Sequence, residues 1–234
     1  MRHFVDKKAW HEHMKNDKIR FLVLLIPFLY IAYGVYLAID FSSESELINA
    51  ITNGLILGGI SLFITIKAIV KKNIDIIWLA VFILYIFVLH HLVTYISVGD
   101  IVNSTYTGAF HIQREMVNLV PFTTIENTLH QTFVTMPTII QLVGNILLLA
   151  PLTFFLLYFQ IVKKASSALL ITVLVSTGIE LIQFLQTTII SGFVGITLPE
   201  NRSTDIDDII LNTLSGLMGI LAALCIPSVR KRMK

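Results

Sequence analysis

Residues 163–190, KKASSALLITVLVSTGIELIQFLQTTII, decide the fold: two lysines precede 26 residues in which Glu180 is the only charge. A hydrocarbon core about 30 Å thick is crossed by about 20 predominantly apolar residues at about 1.5 Å per residue. The run from Ser166 to Ile190 satisfies that length. So do Phe21 to Ile39, Leu47 to Val70, Ile76 to Val98, Thr138 to Val162 and Asp208 to Ser228. The whole chain agrees: of 234 residues, 55% are apolar and only 14% charged, with a mean hydropathy of +0.80. Soluble domains carry about a quarter charged residues, so a water-soluble core protein is excluded. The expected fold is all-α, a polytopic membrane bundle of about six transmembrane helices.

Charge sets the orientation. Fifteen of the 17 basic residues lie within Met1 to Arg20, beside Lys67, Lys71 and Lys72, at Lys163 and Lys164, or in the tail from Arg230 to Lys234. The positive-inside rule then places both termini in the cytoplasm and leaves only Arg114 and Arg202 on the opposite face. The chain divides into a basic N-terminal segment (1–20), three spans (21–98), a long outer segment (99–137), three further spans (138–228) and a basic tail (229–234). The basic region is too long, and the apolar run after it too spanning, for a cleaved signal peptide. Residues 3–20 read as a helix on the cytoplasmic leaflet or as a solvated tail.

The connections are unequal. Lys71 to Asp75 and Lys163 to Ala165 are short, which makes their flanking helices antiparallel neighbours. Gly99 to Pro137 and Ser191 to Asp207 are far longer than two helices need, and long ordered loops often carry function. Met116, Val117, Leu119, Val120 and Phe122 make the first of these too apolar for a solvated linker and point to packing on the helices or at the interface. The single cysteine, Cys225, allows no intrachain disulfide to order these loops.

Polar residues inside the spans gather in the outer half. Glu180 lies about 24 Å above Lys164, and an ionisable group at that depth costs about 2.5–3.5 kcal/mol unless a protein-lined or watery cavity receives it. Ser176, Glu180, Gln183 and Thr187 share one helix face by their four, three, four spacing. His90, His91 and Thr94 in the third span, Gln141 and Asn145 in the fourth, and Asp208, Asn212 and Ser215 in the sixth fall in the same layer. The inner halves are almost purely aliphatic, so the expectation is one polar cavity opening outward. The bland alternative is interhelical hydrogen bonding, worth about 0.6 kcal/mol each.

Arg202, Ser203, Thr204, Asp205, Ile206, Asp207 and Asp208 lead into the sixth span. Thr204 and Asp207 fit a capping box. Three carboxylates beside an arginine exceed what a cap requires, so the cluster is also read as a site: Arg202 pairs with an aspartate or Glu180, and Asp205, Asp207 and Asp208 hold an anionic ligand, a divalent cation, or both. No cofactor is otherwise implied, and nothing calls for a nucleic-acid partner. Gly54, Gly58, Gly59, Gly216 and Gly219 read as close-packing positions, and Pro27 and Pro151 as kinks. Gly-x-Ser-x-Gly, His-Glu-x-x-His, phosphate-binding glycine loops, cysteine clusters and internal repeats are missing.

Four ordered blocks give the chain a resemblance to the VanZ-like family of bacterial membrane proteins: Asn118-Leu-Val-Pro-Phe122; Gly144-Asn145-Ile-Leu-Leu-Leu-Ala-Pro151-Leu; Glu180-Leu-Ile-Gln183; and Arg202-Ser-Thr-Asp205-Ile-Asp-Asp208-Ile-Ile-Leu-Asn212-Thr with Gly216 and Gly219. They cover about residues 110–220. The resemblance implies a multi-pass protein of the bacterial cell membrane with a cell-envelope role, the founding member conferring low-level teicoplanin resistance, and it supplies no mechanism. Its motif residues coincide with those singled out by depth and charge: Glu180, Gln183, Arg202, Asp205, Asp207, Asp208, Asn212 and Asn145. Arg114 and Asn118 join them as candidate ligand-binding residues of the outer segment.

Three functions follow as expectations. In the first, the cavity binds a membrane lipid or lipid-linked cell-wall intermediate by its headgroup and lowers susceptibility to lipoglycopeptides such as teicoplanin. In the second, the protein is an enzyme acting on an isoprenoid-phosphate or phospholipid at the outer leaflet, with Glu180 as general base or metal ligand. Transport is least favoured, because the inner halves of the spans offer no polar path.

Overall fold

A computed structural model of the chain describes residues 18–112, 114–130, 136–194, 196 and 203–233. Six of its helical segments, 20–40, 44–67, 73–102, 139–158, 165–190 and 206–224, are long and apolar enough to cross a membrane. The protein is a multi-pass helix bundle.

Polar residues at the edges of the apolar runs fix where helices start. A 3-10 turn at Arg20–Leu24 leads into α1 (Leu25–Asp40), and Pro27 occupies the first turn of α1, where its missing N–H costs no helical bond. Ser43 opens α2 (Glu44–Lys67) by accepting the Glu46 N–H at 3.2 Å. Asp75 folds back at the start of α3 (Asn73–Val93), accepting the Lys71 and Lys72 N–H groups at 2.8 and 2.9 Å, while the Tyr158 hydroxyl donates to its other oxygen at 2.9 Å. The third run was expected to continue to Val98. Instead α3 ends at Val93, and a short helix, α4 (Val98–Val102), follows.

The described part of the long connection 99–137 is folded. It carries a 3-10 turn (Arg114–Met116), strand β1 (Val117–Asn118) and helix α5 (Thr123–His130). The fourth span is broken at Leu149 into α6 (Met136–Leu148) and α7 (Ala150–Tyr158). Pro151 stands in the first turn of α7 and has no N–H to donate. At the break, the Leu149 N–H turns to the Ser215 hydroxyl at 3.0 Å. Then come α8 (Ala165–Ile190), strand β2 (Thr204–Asp205), α9 (Ile206–Leu224) and a last turn, α10 (Pro227–Arg230).

Small residues allow the helices to approach. A Cβ on Gly54 would run into the Ile31 side chain, and one on Gly219 into the Ala150 carbonyl. Gly216 faces Thr172, whose hydroxyl shares a 2.6 Å hydrogen bond with Thr153, so α7, α8 and α9 are locked together. Gly59, by contrast, meets no neighbour. Around these contacts the core is aromatic and aliphatic, with Phe82 stacked on Phe155 at 4.9 Å between ring centroids.

The two ends of the bundle differ. At the lysine-rich end, Arg20 donates to the Ala68 carbonyl at 3.0 Å and the Ile69 N–H to that of Phe159 at 3.0 Å, which gathers the ends of the first, second and fourth spans. At the loop end, β1 pairs in parallel with β2, Val117 opposite Thr204 and Asn118 opposite Asp205. Thr107 N–H to Gly192 O at 2.8 Å and Val194 N–H to Thr105 O at 3.0 Å sew the two long connections together, doing without a disulfide. Leu119, Val120 and Phe122 stay exposed beside these strands, while Met116 and Val117 are half-buried.

Candidate functional site

The β1–β2 pairing brings the outer segment against the turn before α9, and there the carboxylates are held. Asp205 is the N-cap of α9, and its side chain accepts the Asp207 N–H at 2.9 Å. The capping box expected from Thr204 and Asp207 does not form: Asp205 caps the helix by itself, and its own N–H is taken by Glu180. Asp205 also accepts the Asn118 amide at 2.9 Å and the Thr124 hydroxyl. Its backbone N–H donates to Glu180 Oε2 at 2.8 Å, so the buried carboxylate of α8 stands at the positive end of α9. An anion there is stabilised by the exposed N–H groups of the helix start.

Asp207 points the other way. One oxygen accepts the Phe122 N–H and the other the Thr124 and Ile125 N–H groups at 2.8 and 3.1 Å, so this fully buried carboxylate caps α5 across more than 80 residues of sequence. Phe122 adopts φ 69°, the left-handed region, which turns the chain so that its N–H reaches Asp207. Charge-assisted bonds of this kind contribute about 1.5–3 kcal/mol each.

These bonds decide what the acidic cluster can hold. Asp205 and Asp207 each use three of the roughly four acceptor positions of a carboxylate on protein donors. Among the described residues, no three His, Cys, Asp or Glu side chains are grouped so as to hold a metal ion. The donor set therefore does not fit a divalent cation held by the three aspartates.

Asp208 is different. Half-buried, it accepts the Asn145 amide of α6 and borders a small void of about 30 Å³ with Thr124, Thr128 and Gln141. That space admits a water or the tip of a polar group. One turn deeper, Asn212 donates to Ser176 at 3.1 Å while its buried side-chain oxygen has no partner among the described residues.

The polar cavity opening outward that the sequence leads one to expect is not what surrounds these residues. The polar layer is closed by its own hydrogen bonds, and the larger cavity nearby, about 330 Å³, is apolar. Gln183 also leaves the expected group: its amide donates to the Val93 carbonyl at 3.3 Å, and Gln186 to that of Tyr95 at 2.6 Å, bracing the end of α3. Arg114 is exposed and makes no hydrogen bond or ion pair among the described residues. Arg202 and its expected pairing lie outside the described residues.

A second polar knot, in which Asn49 and Asn53 join the His90 and Thr94 picked out by depth, fixes the break after α3. Asn53 of α2 accepts His90 Nε2 at 2.8 Å and the Ile96 N–H at 3.0 Å, and donates to the Ile96 carbonyl at 2.8 Å. Since Asn53 Oδ1 accepts, His90 Nε2 carries the proton and Nδ1 takes the Thr94 hydroxyl at 2.8 Å. Asn49 accepts the Gly99 N–H at 2.7 Å, and Gly99 lies so close to the Ser45 backbone that a Cβ has no room. The signal was present: Asn49 and Asn53 stand one turn apart in an apolar run. His91, at the adjacent position, is exposed as the helix geometry requires.

The VanZ/LLP1 family model matches residues 82–227, a stretch that takes in both polar networks' residues from α3 to α9. No curated protein and no solved structure matches the chain. A match covering well over half of the chain, acidic turn included, makes this protein a member of the VanZ/LLP1 family.

Proposed function

We propose that the protein binds the headgroup of a membrane lipid or lipid-linked cell-wall intermediate at the loop end of the bundle, and thereby lowers susceptibility to lipoglycopeptides such as teicoplanin. The observation that supports the reading is the Asp208–Asn145 pair beside the small void. Asp208 is the aspartate whose acceptor positions are not spent on capping, and the void is rimmed by Thr124, Thr128 and Gln141. A carboxylate with amides and hydroxyls around it recognises groups rich in O–H or N–H, such as sugar hydroxyls or an ammonium headgroup. By the positive-inside rule this end faces outward in the bacterial cell membrane, where lipid-anchored antibiotics meet their target.

The remaining acidic residues act in support. Glu180, Asp205 and Asp207 hold α5, α8 and α9 at fixed positions, so that Asp208 and Asn145 meet a headgroup from a rigid frame. Purified protein carrying Asp208→Ala or Asn145→Ala should recover less co-purifying glycolipid or aminophospholipid in native mass spectrometry than the parent protein does. Equal recovery in both variants overturns the headgroup reading. Recovery of a chemically altered lipid would replace binding with catalysis.

A further inference from the structure

We infer that the apolar cavity between α2, α3, α7 and α8 receives one hydrocarbon chain of a membrane lipid. This inference rests on a different part of the molecule from the headgroup reading and stands or falls separately.

The cavity measures about 330 Å³, within the range of about 300–1,000 Å³ that ligand pockets occupy. Its walls are Phe82, Ile86 and Leu89 of α3, Ile64 of α2, Leu152 of α7 and Ile179 of α8, all buried and apolar. Along α3 it runs from Phe82 to Val93, roughly 16 Å at the helical rise, so its shape is elongated parallel to the spans. Only His90 and Thr94, bonded to each other, bring polar atoms to it, and both stand toward the loop end. A chain lying in it would have its methyl end at the aromatic core and its headgroup at the level of the polar layer.

Two observations give the cavity an entrance and an occupant. Ile60 and Phe63 of α2 are lining residues that are 40% and 57% exposed, so the space opens sideways between α2 and α8. In a membrane-spanning bundle what lies outside that opening is hydrocarbon, not water. Gly178 in the middle of α8 faces the opening, and a Cβ built there meets nothing within 4 Å. Gly216 and Gly219 are explained by the helices packed on them; Gly178 is not. A mid-helix glycine that no neighbour requires leaves a flat stretch of wall, which a ligand chain can lie against.

Photo-crosslinking to full-length protein in lipid nanodiscs tests this, using two probes: a phospholipid with a diazirine in its acyl chain and a polyprenyl phosphate with a diazirine in its isoprenoid chain. Labelling concentrated on peptides containing Val175 to Ile182 and Ile60 to Ile64, by either probe, is the expected result, and the more efficient probe identifies the chain type. Gly178→Leu starts from a Cβ that meets nothing within 4 Å and extends into the opening, so its labelling should fall about tenfold. Gly144→Leu, on α6 and likewise starting from a Cβ with nothing within 4 Å, should label as the parent does. Ile60→Trp narrows the entrance from the opposite wall and should reproduce the loss if Gly178→Leu proves too unstable to purify. Labelling spread evenly over the lipid-facing helices, or undiminished in both cavity variants, overturns the inference.

Discussion

Glu180, a buried carboxylate in α8, accepts the backbone N–H of Asp205 at 2.8 Å, 25 residues further along the chain. The buried carboxylate thus anchors the start of the next span. An uncompensated charge there would be expensive, but a carboxylate at a helix N-terminus is compensated by the helix's own unpaired N–H groups.

Glu180→Gln keeps an oxygen that can accept the Asp205 N–H, whereas Glu180→Leu leaves that donor buried and unmet. The glutamine variant should melt close to the parent in detergent, and the leucine variant should lose about 1–3 kcal/mol. Thermal unfolding of the two side by side checks this, and equal melting of all three proteins would contradict it.

Asp207→Ala removes the shared acceptor of three N–H groups at the start of α5. A loss of about 2–4 kcal/mol is expected, with α5 and β1 released first. Hydrogen exchange should therefore accelerate in the peptide spanning 117–130 much more than in α7. Uniform exchange across both would show that the cap does not hold the loop.

Asn53→Leu deletes the acceptor of His90 and of the Ile96 N–H and leaves both unsatisfied. The segment between α3 and α4 should become protease-sensitive, at a cost of about 2–3 kcal/mol. Limited proteolysis followed by mass mapping gives the answer directly.

Gly219→Ala places a Cβ against the Ala150 carbonyl and should destabilise by about 1–3 kcal/mol. Gly178→Ala faces open space and should be neutral or slightly stabilising. Melting temperatures moving in the same direction would contradict the packing described for α7 and α9.

The spans were legible because hydropathy and lysine placement are additive along the chain, and Lys163-Lys164 before α8 needs no partner to be read. Less legible were features made by two distant segments. Pro151 could be seen to interrupt a helix, but not that Ser215 would receive the freed Leu149 N–H. The acidic turn was recognised as both cap and site, yet the α5 helix that Asp207 caps lies more than 80 residues upstream, and only the β1–β2 pairing brings the two together. Gln183 shares a helical face with Glu180 in projection, but that face is divided between two neighbours, α9 and the end of α3. That the polar layer would be closed by its own bonds, with the larger void apolar, depends on side-chain directions that periodicity does not carry.

The claim on which the functional account rests is that Asp208 and Asn145 meet a ligand, while Asp205 and Asp207 hold the frame. Teicoplanin susceptibility should be measured in bacteria expressing the parent protein, Asp208→Asn, Asn145→Ala and a Gly144→Ala control at matched membrane levels. The account predicts that the first two variants lose protection and the control keeps it. Full protection by both Asp208→Asn and Asn145→Ala would contradict it.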